Sequence, residues 1–79
     1  EFKNEVVIYP NPAQNNLKIN TSFPITKIQL FSLAGKKLDK RTGVQQTSFS
    51  FDVSHLQAGI YWVKIYNNNN SIIEKLIIN

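Results

Sequence analysis

Apolar and polar residues alternate in short runs along most of the chain. A period of two belongs to strands rather than helices. The clearest run is Ile60-Tyr61-Trp62-Val63-Lys64-Ile65-Tyr66. Tyr61, Val63 and Ile65 fall on one face, and Ile60, Trp62, Lys64 and Tyr66 on the other. The first face is apolar apart from one phenol and is predicted to enter a core. The second is large and amphipathic and suits a half-covered surface. Thr47, Phe49 and Phe51 alternate with Ser48, Ser50 and Asp52 in the same way, as do Leu17 and Ile19 with Lys18 and Asn20. Ile28 and Leu30 share a face opposite Lys27, Gln29 and Phe31. Val6-Val7-Ile8-Tyr9 makes a short first strand. At the far end, Ile72, Leu76 and Ile78 share a parity with Glu74, while Ile73 and Ile77 share one with Lys75. Both faces of that last strand are mostly apolar, so it is either covered on both sides or keeps one face for a partner.

Turn signals separate these runs. Pro10 and Pro12 fix φ and remove two N–H donors, so Tyr9-Pro10-Asn11-Pro12 ends the first strand in a rigid corner. Residues 13–16 form a polar turn, and Phe23-Pro24 and Thr42-Gly43 mark loops. Gly35 turns the chain into a return strand. The Asp52 and Ser54 side chains can bond nearby N–H groups and close a short turn before Gly59, which reverses the chain at positive φ. Four asparagines, 67–70, make a hairpin connection. About seven short strands at roughly 8–12-residue spacing predict an all-β fold, a small Ig-like antiparallel β-sandwich.

Composition narrows this picture. Seventy-nine residues make one domain, expected over residues 6–79, with residues 1–5 a linker remnant or a cloning scar. A domain of this size is marginally stable. There is no cysteine, so the antibody-type pair is missing and the Ig likeness is architectural. No apolar run is long enough to span a membrane. The net charge of +4 is concentrated in part at Lys36, Lys37, Lys40 and Arg41 around Asp39. That cluster is a short solvated hairpin, lacking the broad basic face with interleaved aromatics of a nucleic-acid binder.

One stretch carries a resemblance. Asp52-Val53-Ser54, Leu56, Ala58-Gly59, Tyr61 and Val63-Lys64 follow the form D-V-S-x-L-x-A-G-x-Y-x-V-K. This resembles the C-terminal sorting domain of the type IX secretion system (the Por secretion system tail, type A) of Bacteroidetes-type bacteria. Tyr9-Pro10-Asn11-Pro12 is similar to that family's YPNP opening, and the apolar strand leading to Gly35-Lys36 to its second motif. Ser32 stands where the family often has Asn or Asp. The chain ends Ile77-Ile78-Asn79 where many members end on a basic residue, and Lys75 supplies one nearby. The resemblance covers essentially the whole chain. It implies a tag that follows an N-terminal cargo domain, is read in the periplasm by the outer-membrane translocon, and is removed by a sortase-like peptidase. The parent protein would be secreted or attached to the cell surface. Candidate recognition residues are Lys75, Leu76, Ile77, Ile78, Gly35, Lys36 and Gly59. Tyr9, Pro10, Asn11, Pro12, Asp52, Leu56 and Tyr61 are the structural motif positions.

Enzymatic chemistry lacks residues. His55 is the single histidine, in a turn and without a relay partner. The carboxylates are scattered, no Asp-x-Asp calcium loop is present, and the three glycines are isolated. The chain is expected to be non-enzymatic and to need no cofactor. An Ig-like accessory or adhesion module is the alternative function. Trp62 and Tyr66, about 13 Å apart on one strand face, would stack sugar units in that case. His55→Ala is expected to leave folding and function as in the parent. Loss of function in a variant that melts normally reopens the catalytic reading.

Overall fold

A computed structural model describes residues 5–79, with the backbone alone at 43 and 44. Of residues 1–5, expected to be a linker remnant or a cloning scar, 1–4 lie outside the described residues. Five strands follow one another: β1 (Val6–Tyr9), β2 (Asn16–Ser32), β3 (Lys37–Asp52), β4 (Gly59–Tyr66) and β5 (Ser71–Ile78). Every strand pairing is antiparallel.

β2 is the hub. Its first half pairs β1, with Val6 opposite Thr21 and Tyr9 opposite Lys18. Its second half pairs β4, with Lys27 opposite Tyr66 and Ser32 opposite Tyr61. β3 runs along its other edge, from Asp52 opposite Asn16 to Lys37 opposite Phe31. β5 extends the sheet beyond β4, from Gly59 opposite Ile78 to Tyr66 opposite Ser71. The sheet curls so that its two halves face each other. Leu17, Ile19 and Phe51 from the first half share one core with Ile28, Leu30, Val63, Ile65, Leu76 and Ile78 from the second. At the rim, the Arg41 guanidinium in the second half lies 5.3 Å from the Phe51 ring centroid in the first. The result is a small Ig-like antiparallel β-sandwich.

Two expected loops are absent. Phe23-Pro24 and Thr42-Gly43 lie inside β2 and β3. Seven predicted segments are therefore five continuous strands, two of which bend. Pro24 has no N–H to give the ladder, and the register shifts between Asn20 and Ile25. An interrupted ladder bends a strand without ending it. Gln45, at φ 54°, marks the matching irregularity in β3. Phe23 is buried at the bend. The Thr21 hydroxyl donates to its carbonyl at 2.5 Å and lies 3.3 Å from the Thr47 carbonyl, tying both bent strands together.

The proline corner, whose Tyr9-Pro10 and Asn11-Pro12 bonds are both cis, is tied to the last strand. Ala13 is fully buried and makes a parallel bridge with Ile78. Its N–H donates to the Ile77 carbonyl (2.8 Å), and the Asn79 N–H donates to its own carbonyl (2.9 Å). The Asn11 side-chain amide continues this ladder. It donates to the Lys75 carbonyl (3.0 Å) and accepts from the Ile77 N–H (2.9 Å). One side chain thus replaces a peptide group of an extra strand and closes the edge of β5 over residues 75–79. An uncovered edge there would invite pairing with other chains.

Leu76→Ala removes a fully buried side chain and is expected to cost about 2–4 kcal/mol. Asn11→Ala leaves the Lys75 carbonyl and the Ile77 N–H without their partner and is expected to cost about 1–2 kcal/mol. Urea denaturation reads both. An unchanged midpoint for Asn11→Ala would mean that the clamp contributes nothing to stability.

Candidate functional site

The Asp52 turn is closed by its own side chains. Asp52 Oδ1 accepts from the Ser54 N–H (3.0 Å) and the Ser54 hydroxyl (2.7 Å). The Leu56 N–H donates to the Val53 carbonyl, and the Val53 N–H to Asn15, which ties the turn to the segment after the proline corner. Val53 is buried and Leu56 packs against the core. Tyr61 packs against the core with its ring, and its hydroxyl donates to the Gln57 carbonyl at 2.6 Å. Gly59 sits at φ 155°. The motif at residues 52–61 is therefore a brace between the core and the start of β4, held by the Asp52, Ser54 and Tyr61 side chains. The Ser54 hydroxyl and then the Ser54 N–H hold the Asp52 carboxyl below its ordinary value; desolvation opposes them, and the charge of His55 contributes least.

β4 divides as its alternation predicts. Val63 and Ile65 are buried in the core. Ile60, Trp62, Lys64 and Tyr66 face outward, and directly opposed residues share a face. Three rows cross the outer surface of this half: Phe31, Trp62 and Lys75; Gln29, Lys64 and Ile73; Lys27, Tyr66 and Ser71. The rows are internally bonded at one end. The Tyr66 hydroxyl donates to Gln29 Oε1 at 2.7 Å, which lets Gln29 be buried, at 7% exposure, on a polar side chain. The Lys27 and Lys64 ammonium groups lie 4.3 Å and 5.2 Å from the Tyr66 ring centroid. That ring is occupied by cations, so it does not offer the second sugar-stacking platform that the Trp62/Tyr66 spacing predicted.

At the other end of the rows the surface opens. Phe31, Gly35, Trp62, Lys64 and Ile73 line a shallow, mostly apolar groove of about 480 Å³. Ile73 is 57% exposed. Gly35, at φ 93°, sits in the turn between β2 and β3. Its N–H donates to the Ser32 carbonyl, and the Ser32 hydroxyl accepts from the Lys36 N–H at 3.1 Å. Ser32 thus makes the turn bond expected of it.

The candidate recognition residues separate into groups. Gly35 lines the groove, Lys75 stands opposite Trp62 beside it, and Lys36 is exposed in the adjoining turn. Ile77 is half-buried opposite Ile60. Gly59 begins β4 opposite Ile78, next to the Ile60/Ile77 pair and away from the groove. Leu76 and Ile78 are core residues. Their parity faces the opposing half of the sandwich, so their side chains are not available to a partner and their role is to hold β5 in place. Ile73, on the exposed parity, is the residue that sequence reasoning did not select. Its shared parity with Lys75 was the available signal.

Among the described residues, no group of three or more His, Cys, Asp or Glu side chains lies together. The one ion pair among them is Arg41 with Asp39. His55 is exposed beside Asp52. No helix of the described chain is long and apolar enough to cross a membrane.

The family described as the secretion system C-terminal sorting domain matches residues 7–79. No curated protein matches the chain.

The lowered Asp52 value has a measurable consequence. Its bonds to Ser54 favour the ionised carboxylate. Their contribution is fully present above the ordinary carboxylate range and is lost as the pH falls through the lowered value. Ser54→Ala removes the largest of these causes and is expected to raise the Asp52 value toward normal, moving the acid-side loss to higher pH. Carboxyl NMR titration of parent and variant checks this; coincident curves would refute it.

Proposed function

The chain belongs to the family of type IX secretion C-terminal sorting domains, and we propose that it works as a folded tag that a protein machine reads in the periplasm. The outer-membrane translocon engages the tag and moves the cargo joined to its N-terminal side. A sortase-like peptidase then cuts upstream of Val6, and the cargo is released or joined to surface lipopolysaccharide. The observation that carries this reading is the family match across residues 7–79. The fold supports it. A single core and a clamped last strand let the domain persist as a folded object during transit. Its edges are managed against stray pairing: lysines and irregularities along β3, and the proline corner along part of β5.

The test is transport. A periplasm-directed reporter fused to this domain is expected at the cell surface or in the medium of a type IX-competent bacterium. It is expected to stay in the periplasm of a strain lacking the translocon. Retention in the competent strain, with the domain folded, overturns the reading.

A further inference from the structure

We infer that the outer face of the β2–β4–β5 half docks an acidic protein segment in which an apolar side chain is flanked by carboxylates. This rests on the proposed sorting function and names the chemistry of the partner that reads the tag. Three observations on the same face lead to it.

The first is the groove. Phe31, Trp62 and Ile73 give it an apolar floor and wall, and Ile73 is largely exposed although apolar. Ile60, further along the same face of β4, is exposed as well. No strand of the described chain covers these residues. A floor of this kind accepts an apolar anchor from a partner.

The second is charge. Lys64 lines the groove and Lys75 stands beside it. Lys27 lies in the neighbouring row, and Lys37 and Lys40 stand opposite Phe31 and Gln29. No described carboxylate shares the face. Asp39 and Glu74 stand opposite Leu30 and Val63, on the core-facing parity. Glu5 precedes β1, and Asp52 ends β3 in its own turn. Arg41, the described cation with a carboxylate partner, belongs to the core-facing side. Trp62 adds a hydrogen-bond donor, since its indole N–H has no partner among the described residues. A surface with cations, a free donor and no acid is complementary to carboxylates.

The third observation selects a polypeptide over other anions. The proline corner closes the outer edge of β5 only from Lys75 onward. The Lys75 carbonyl and the Ile77 N–H point toward Asn11. By the alternation of an antiparallel strand, the N–H and carbonyl of Ile73 point to the same outer side, where no strand pairs. The groove therefore adjoins one open pair of backbone groups. An extended peptide can bond to them while its side chain enters the groove. Lipid headgroups and polysaccharides lack the matching backbone.

Trp62 is the single tryptophan of the chain, so its emission reports occupancy of the groove. The purified domain is titrated with a synthetic peptide that places Leu between Glu and Asp residues. The controls are the same peptide with Lys for each acid, anionic phospholipid vesicles, and dextran sulfate. A saturable, salt-sensitive Trp62 response to the acidic peptide is expected. It should weaken about tenfold or more in Lys64→Glu/Lys75→Glu and also in Ile73→Asp, while Lys18→Glu, on the other half of the sandwich, binds as the parent does. Thermal melting confirms that each variant is folded, and the exposed Ile73→Asp change serves if the double variant is not. An equal response to the lysine peptide overturns the inference, as does a response to vesicles or dextran sulfate alone, or none at all. The same variants are then fused to the reporter. Export by the parent domain together with normal export by folded Ile73→Asp and Lys64→Glu/Lys75→Glu overturns the docking face and leaves the sorting function standing. Failure of the parent domain itself refutes the sorting function.

Discussion

The structure depends on a strand that changes partners without ending. β2 pairs β1 along its first half and β4 along its second, with β3 beside it throughout. A chain this short buries a limited share of its surface and has little stability to spare. Bending β2 and β3 together lets seventeen and sixteen residues serve both halves of the sandwich. The bend sacrifices ladder bonds around Pro24, and the burial of Phe23 and the Thr21 hydroxyl bond offset that loss. Everything else follows from the curl. It sets Leu17 and Phe51 against Val63 and Leu76, and it turns the second face of β4 to solvent.

Hydrophobic alternation made the strand segments legible because a period of two survives any tertiary arrangement. It showed that Val63 and Ile65 enter the core, and that Trp62 and Lys64 do not. It could not show that β2 and β3 continue through Pro24 and Gly43. Proline and glycine end strands in most settings, and only the curled sheet makes a bend preferable to a break. For β5, alternation left two equivalent faces. The register against β4 decides between them, because Leu76 lies opposite Tyr61 and Ile72 opposite Ile65. Register is a pairing property and is absent from one strand alone.

The turn motifs were legible for a different reason. Asp52 with Ser54, and Asn67 accepting from the N–H groups of Asn69 and Asn70, bond within two or three residues, so composition is enough. Gln29 and Asn11 were not legible in this way. A glutamine in a run of outward-facing residues reads as solvent-exposed, and only the Tyr66 hydroxyl, 37 residues away, makes its burial acceptable. Asn11 read as part of a rigid corner. Its amide has partners only on the opposite end of the chain.

That distance gives the clamp a meaning in biosynthesis. Asn11 bonds to Lys75 and Ile77 across 64 and 66 residues. A ribosome that stalls before β5 leaves the corner without a partner and the core without Leu76 and Ile78. The two ends of the domain depend on each other: neither is in place until β5 has been made. A chain cut short before β5 therefore lacks both the clamp partners of Asn11 and the core residues Leu76 and Ile78.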